Sequence, residues 1–116
     1  MTKEYKEIIG DIGAYSKELH KLIPETMAGF STMAKAATTT KTLDEKTKEM
    51  IGLALGVAAH CDGCLGYHAK ALVRLGASRE EVAETLGMAI YMGGGPSLMY
   101  AADALRAFDQ FSQTPA

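Results

Sequence analysis

The chain has 116 residues, 47% of them apolar and 22% charged, with no Trp and a formal net charge of −2. That length allows a single domain, 1–116. A slightly acidic balance, with pI about 5.9, excludes the basic footprint that selects nucleic acid or an anionic membrane surface.

The opening MTKEYKEIIG is polar where an export segment would be apolar. No apolar run reaches the roughly 18–20 residues of a membrane span. A cytoplasmic protein with no membrane partner is therefore expected. A small chain rich in Ala, Gly and Met with few aromatics also predicts a core shared with a partner subunit.

Strand signals are scarce and good helix formers dominate. The spacing of Tyr5, Ile8, Ile9, Ile12, Tyr15 and Leu19 predicts a first helix over 3–21, with those residues as its apolar stripe. Pro24 suits the first turn of a second helix over 24–36. The polar ATTTKT connects to a third helix, 43–59, whose second half is apolar nearly all round and is expected to be buried. Asp62 is a candidate cap for a fourth helix, 63–75, which Gly76 ends in a left-handed conformation. Ser78 and Glu81 make a capping box for a fifth helix, 79–92. GGGP (93–96) breaks it, Pro96 begins a last helix that runs to about residue 111, and the tail SQTPA is expected to fray. These elements predict an all-α bundle.

Both cysteines and two of the three histidines fall in EMIGLALGVAAHCDGCLGYHAK, 49–70. In a reducing compartment such a pair serves catalysis, redox sensing or metal binding more often than stapling. The residues alone leave three readings open: a redox couple, half of a zinc site, or helix packing.

The redox reading has a physical basis. Cys61 lies at the junction before the fourth helix and Cys64 in its first turn. A helix N-terminus stabilises a thiolate there by about 0.3–1 kcal/mol, less than one pKa unit. His68 follows Cys64 by four residues and shares its helix face, so it can take the thiol proton directly or through one water. Gly63 lets Cys61 close a disulfide onto Cys64. Glu49, on the third helix, is the candidate to orient His68 and share its proton. At 1.5 Å per residue, Glu49 and His68 lie roughly 16 and 10 Å from the turn. A reaching side chain, a bridging water or an oblique crossing has to cover the offset of about 6 Å.

Zinc could in principle take Cys61, Cys64, His68 and Glu49, although no second Cys/His pair exists and His20 is remote. His60 and Tyr67 read as packing or polar residues beside the motif. GGGP lacks the Gly-Lys-Ser/Thr ending of a phosphate loop. Met88, Met92 and Met99 read as core or subunit interface rather than as copper ligands.

The pattern E-x11-C-x2-C-x3-H, formed by Glu49, Cys61, Cys64 and His68, resembles the core signature of the AhpD-like proteins of the carboxymuconolactone decarboxylase superfamily. GAS-x-EEV-x-E and GGGPSLMYAADAL resemble it too, so the likeness spans 43–108. The resemblance implies an AhpD-like bundle of five to six helices that assembles as trimers or hexamers. It implies a thiol-dependent peroxidase or disulfide reductase without cofactor or metal. In it Cys64 attacks, Cys61 resolves or protonates, and His68 and Glu49 form a proton relay. The implied partners are a small peroxide or a protein disulfide, and a dithiol or protein electron donor. This chain departs from the best-known AhpD proteins in carrying Asp62 and Gly63 where they have a histidine between the cysteines. It also lacks their second helical half, so a neighbouring subunit would have to cover the site. Two other readings compete: a lactone-processing or decarboxylating enzyme on the same fold that needs no thiols, and a non-catalytic, zinc-stabilised interaction module.

Overall fold

The computed structural model describes residues 2–113. They form six helices: α1 (Tyr5–Leu22), α2 (Pro24–Thr38), α3 (Glu45–Ala58), α4 (Asp62–Arg74), α5 (Arg79–Gly93) and α6 (Gly95–Ser112), with no strand among the described residues. The expected all-α bundle is what forms. Of the tail, Ser112 and Gln113 close α6, and residues 114–116 lie outside the described residues.

Local chemistry sets most boundaries. Pro24 opens α2 one residue after α1 ends. Asp44 caps α3 by accepting the Thr47 N–H. Ser78 and Glu81 form the complete capping box of α5. Within GGGP the break is one residue wide: Gly93 finishes α5, Gly95 opens α6, and Gly94 turns at φ 73°. One expected cap is corrected. Asp62 is the first residue of α4, and Cys61 is its cap.

The core lies among α3, α4, α5 and α6. It holds Leu53 and Val57, Leu65, Ala69 and Leu72, Val82 and Leu86, and the α6 row Ala101, Ala104, Ala107, Phe108 and Phe111. Alanines at the α6 positions bring its backbone near its neighbours, as close packing of small side chains permits. Only the first turns of α1 join this core, through Tyr5 and Ile9.

Three burial expectations are corrected. Ile12, Tyr15 and Leu19 of the α1 stripe are exposed, and of α1 only Tyr5 and Ile9 are buried. In the second half of α3, Leu53 and Val57 are buried while Ile51 and Leu55 face outward, since α4, α5 and α6 cover only part of the helix. Met88, Met92 and Met99 are exposed, which overturns the core half of the core-or-interface reading given for them. No residue of α2 is buried.

Candidate functional site at the α3–α4 turn

The backbone builds the site first. At the end of α3 the His60 N–H donates to the Val57 carbonyl (3.1 Å) and the Cys61 N–H to the Gly56 carbonyl (3.0 Å). This is a Schellman turn, and its left-handed position normally takes glycine. Here it holds His60, at φ 55°. The imidazole stacks on Tyr100 of α6, ring centroids 4.6 Å apart and planes 6° from parallel, which offsets part of the backbone strain. The turn delivers Cys61 in an extended conformation as the cap of α4, where its Sγ accepts the Cys64 N–H at 3.2 Å. Cys61 and Cys64 are joined as a disulfide, with Cα atoms 5.2 Å apart, an ordinary separation for such a bond.

One turn further, His68 Nδ1 lies 2.5 Å from Glu49 Oε2. The Glu49 side chain is only 9% exposed, so His68 is the partner that satisfies an otherwise costly buried carboxylate. No bridging water is needed. The offset expected from ideal helices closes because α3 presents Gly52 and Gly56 to α4. A Cβ on Gly52 would sit 2.7 Å from His68 Cε1, and one on Gly56 would sit 3.0 Å from Cys64 Cβ. The imidazole and the Cys64 side chain therefore rest against bare α3 backbone. The spacing E-x2-G-x3-G was the available signal for this seam, and sequence reasoning passed over it.

The other side of the cysteine loop carries a second polar cluster that the sequence did not announce. Tyr5 is fully buried, and its hydroxyl donates to Asp62 Oδ1 at 2.8 Å. The Lys3 ammonium donates to both Asp62 oxygens, at 3.0 and 3.2 Å, and to Asp103 Oδ2 at 2.9 Å. It also lies 5.1 Å from the centre of the Tyr100 ring. The Gln110 side chain anchors this segment by accepting the Tyr5 N–H and donating to the Lys3 carbonyl, both at 2.8 Å. The hydrogen bond to Asp103 leads in holding the Lys3 ammonium above its usual pKa. Burial, then the bond to Asp62, pushes the Tyr5 phenol well above its usual value.

Tyr67 donates to the Ile9 carbonyl (3.2 Å), a tie between α4 and α1. A groove between α2 and α3, walled by Ala34, Ala37, Ile51 and Leu55, reaches His68. The zinc reading needs a gathered ligand set, and among the described residues no three His, Cys, Asp or Glu side chains are grouped as one.

Residues 24–107 match the sequence model of the carboxymuconolactone decarboxylase family. The chain belongs to that family. It superposes with a TM-score of 0.92 on apo-lpg0406, a carboxymuconolactone decarboxylase family protein from Legionella pneumophila, at 56% identity over 94% of this chain and 97% of that one. A family protein of Thermotoga maritima, TM1620, described with a suggested part in an antioxidative response, matches with a TM-score of 0.75 at 28% identity, over 86% of this chain and 88% of that one. An uncharacterised protein of Cupriavidus necator is 39% identical over 94% of this chain and 96% of its own length. Within the family, the bonded Cys61–Cys64 pair fits a redox role. No helix among the described residues is long and apolar enough to cross a membrane.

Proposed function

We propose that this family member is a thiol-dependent oxidoreductase that reduces a peroxide or a protein disulfide. The observation that carries the reading is the meeting of the Cys61–Cys64 disulfide with the Glu49–His68 pair on one α3–α4 seam. An ionised carboxylate only accepts, so His68 Nδ1 donates to Glu49 and Nε2 keeps the lone pair that takes a proton.

In the reduced enzyme His68 removes the Cys64 thiol proton, and Glu49 stabilises the imidazolium that forms. The Cys64 thiolate attacks the terminal oxygen of a hydroperoxide. The O–O bond breaks, Cys64 becomes a sulfenic acid, and the departing alkoxide takes the proton from His68. The Cys61 thiol then displaces water from the sulfenic acid and closes the disulfide. An external dithiol, or a protein donor, returns two electrons and two protons by exchange. With a protein disulfide as substrate, the same thiolate attacks sulfur and Cys61 resolves the mixed disulfide.

The suggested antioxidative part of the Thermotoga relative agrees with this chemistry. A cytoplasmic setting, with its dithiol supply, suits the regeneration step. Assembly as a homo-oligomer, trimer or hexamer, is part of the proposal. Leu55, Met88 and Met92 are exposed and line one apolar surface between α3 and α5, the kind of surface a partner subunit covers. The proposed steps draw on the two thiols and the Glu49–His68 pair.

The test is consumption of an organic hydroperoxide by pure protein with excess dithiol, wild type beside Cys64→Ser. The expected result is turnover in the wild type and its loss, by at least about 100-fold, in the variant. Activity that survives replacement of both cysteines by serine would overturn the reading in favour of acid–base chemistry by Glu49 and His68 alone.

A further inference from the structure

We propose that Lys3, Asp62 and Tyr5 form a charge clamp that sets the redox equilibrium of the Cys61–Cys64 pair, with Lys3 and Asp62 driving it in opposite directions. The inference rests on the redox reading above and adds tuning residues on the face away from the Glu49–His68 pair.

Asp62 follows Cys61 and opens α4. Its carboxylate and the Cys61 sulfur therefore share one helix start, with the same free N–H groups and the same positive end of the dipole. An uncompensated carboxylate there disfavours a thiolate on either cysteine. The structure compensates it. Lys3 Nζ bonds both Asp62 oxygens. The buried Tyr5 hydroxyl bonds Oδ1 and so fixes where the carboxylate points. Gln110 holds the backbone of residues 3 and 5, which makes the ammonium a placed charge and not a wandering surface lysine.

The other charged and titratable groups around the loop are Glu49 from α3, His68 on α4, His60 in the turn, and Tyr100, Asp103 and Arg106 from α6. Asp103 shares Lys3 and lies 3.9 Å from Arg106. Lys3 is thus the cation in direct contact with Asp62, one of the two residues between the cysteines.

Reduction of the disulfide consumes two electrons and two protons and leaves two thiols in equilibrium with their thiolates. A charge that stabilises the thiolate favours the reduced form and raises the potential. Lys3 acts in that direction and Asp62 in the other. Neither side chain touches substrate in this scheme. They are positioning residues, and a potential is the readout that a merely structural role would leave unmoved.

The experiment equilibrates the full-length protein in buffers of reduced and oxidised dithiothreitol and counts free thiols by alkylation and mass. Lys3→Met is expected to shift the equilibrium about three- to tenfold toward the disulfide, a fall of about 14–30 mV. Asp62→Asn is expected to shift it by a similar factor toward the dithiol. Lys3→Arg, which keeps the charge, is expected to stay within about twofold of wild type. Shifts of Lys3→Met and Asp62→Asn in the same direction, shifts below about twofold, or a Lys3→Arg shift as large as that of Lys3→Met would overturn the clamp. A wild-type pair that does not cycle between disulfide and dithiol would overturn the redox reading and the clamp together. A pair that cycles but ignores Lys3 and Asp62 overturns the clamp alone.

Discussion

Two turns in this molecule have the same hydrogen bonds and opposite chemistry. The α4–α5 turn repeats the Schellman geometry of the α3–α4 turn: Gly76 N–H to the Val73 carbonyl at 3.1 Å, and Ala77 N–H to the Leu72 carbonyl at 3.0 Å. Gly76 holds its left-handed position at φ 76°, and Ser78 follows with a full capping box. Each residue there is the one that local energetics prefers. The α3–α4 turn has a second choice at both positions. A histidine stands where glycine is easier, and a cysteine sulfur caps where a serine oxygen is stronger. The difference teaches where the chain departs from local preference: at the turn that places the thiol pair, and not at the turn that only joins two helices.

Cys61→Ser is the sharpest way to break this contrast. Serine is the better cap, so α4 of the variant is expected to be at least as stable as that of the reduced wild type. Its turnover with hydroperoxide and dithiol is expected to fall by about 100-fold or more, because no resolving thiol remains. Thermal midpoints and turnover, measured side by side on reduced proteins, check both halves. A variant that kept its turnover would show that the weak cap has no chemical purpose.

The left-handed positions give a smaller contrast. Nothing lies within 4 Å of a Cβ added at Gly76, so Gly76→Ala meets only backbone strain and is expected to cost about 1–2 kcal/mol. His60→Gly relieves similar strain but loses the Tyr100 stack and frees the unfolded chain, terms of about 0.5–1.5 kcal/mol each. Its net change is expected to lie within about 1 kcal/mol of zero. Chemical denaturation of the two variants beside wild type is the measurement. A loss at His60→Gly equal to that at Gly76→Ala would mean that the stack outweighs the strain.

The smallest effect concerns acid. Asp44 is held below its ordinary 3.8 by hydrogen bonds from Thr47. Glu81 is held below its ordinary 4.5 by the Ser78 N–H and then by Lys46. A lowered carboxylate contributes stability that is present above its ordinary value and is lost as pH falls through the lowered one. The starts of α3 and α5 are therefore expected to weaken below about pH 4.5. Asp44→Asn and Glu81→Gln are expected to flatten the fall of the thermal midpoint there.

The sequence was legible wherever a boundary depends on near neighbours. Pro24, Gly76, the Ser78–Glu81 box and the glycine break before Pro96 marked helix ends to within one or two residues, because caps and turns are decided by a few bonds within a few residues. Cys61, Cys64 and His68 were legible as a group for the same reason: one turn of helix sets their spacing. Glu49 was legible as a candidate partner for His68, and its direct contact with His68 was not.

Tertiary structure decided the rest. A hydrophobic period says which residues share a face, not how much of that face another helix covers, so Tyr15, Leu19, Leu55 and the methionines at 88, 92 and 99 proved to be outside. Direct contact of Glu49 with His68 depends on how closely α3 and α4 approach, and the missing Cβ atoms of Gly52 and Gly56 set that approach. The cluster of Lys3, Tyr5, Asp62 and Asp103 joins residues from both ends of the chain. No local rule relates such residues. Packing α1 and α6 against each other and against α4 brings them together.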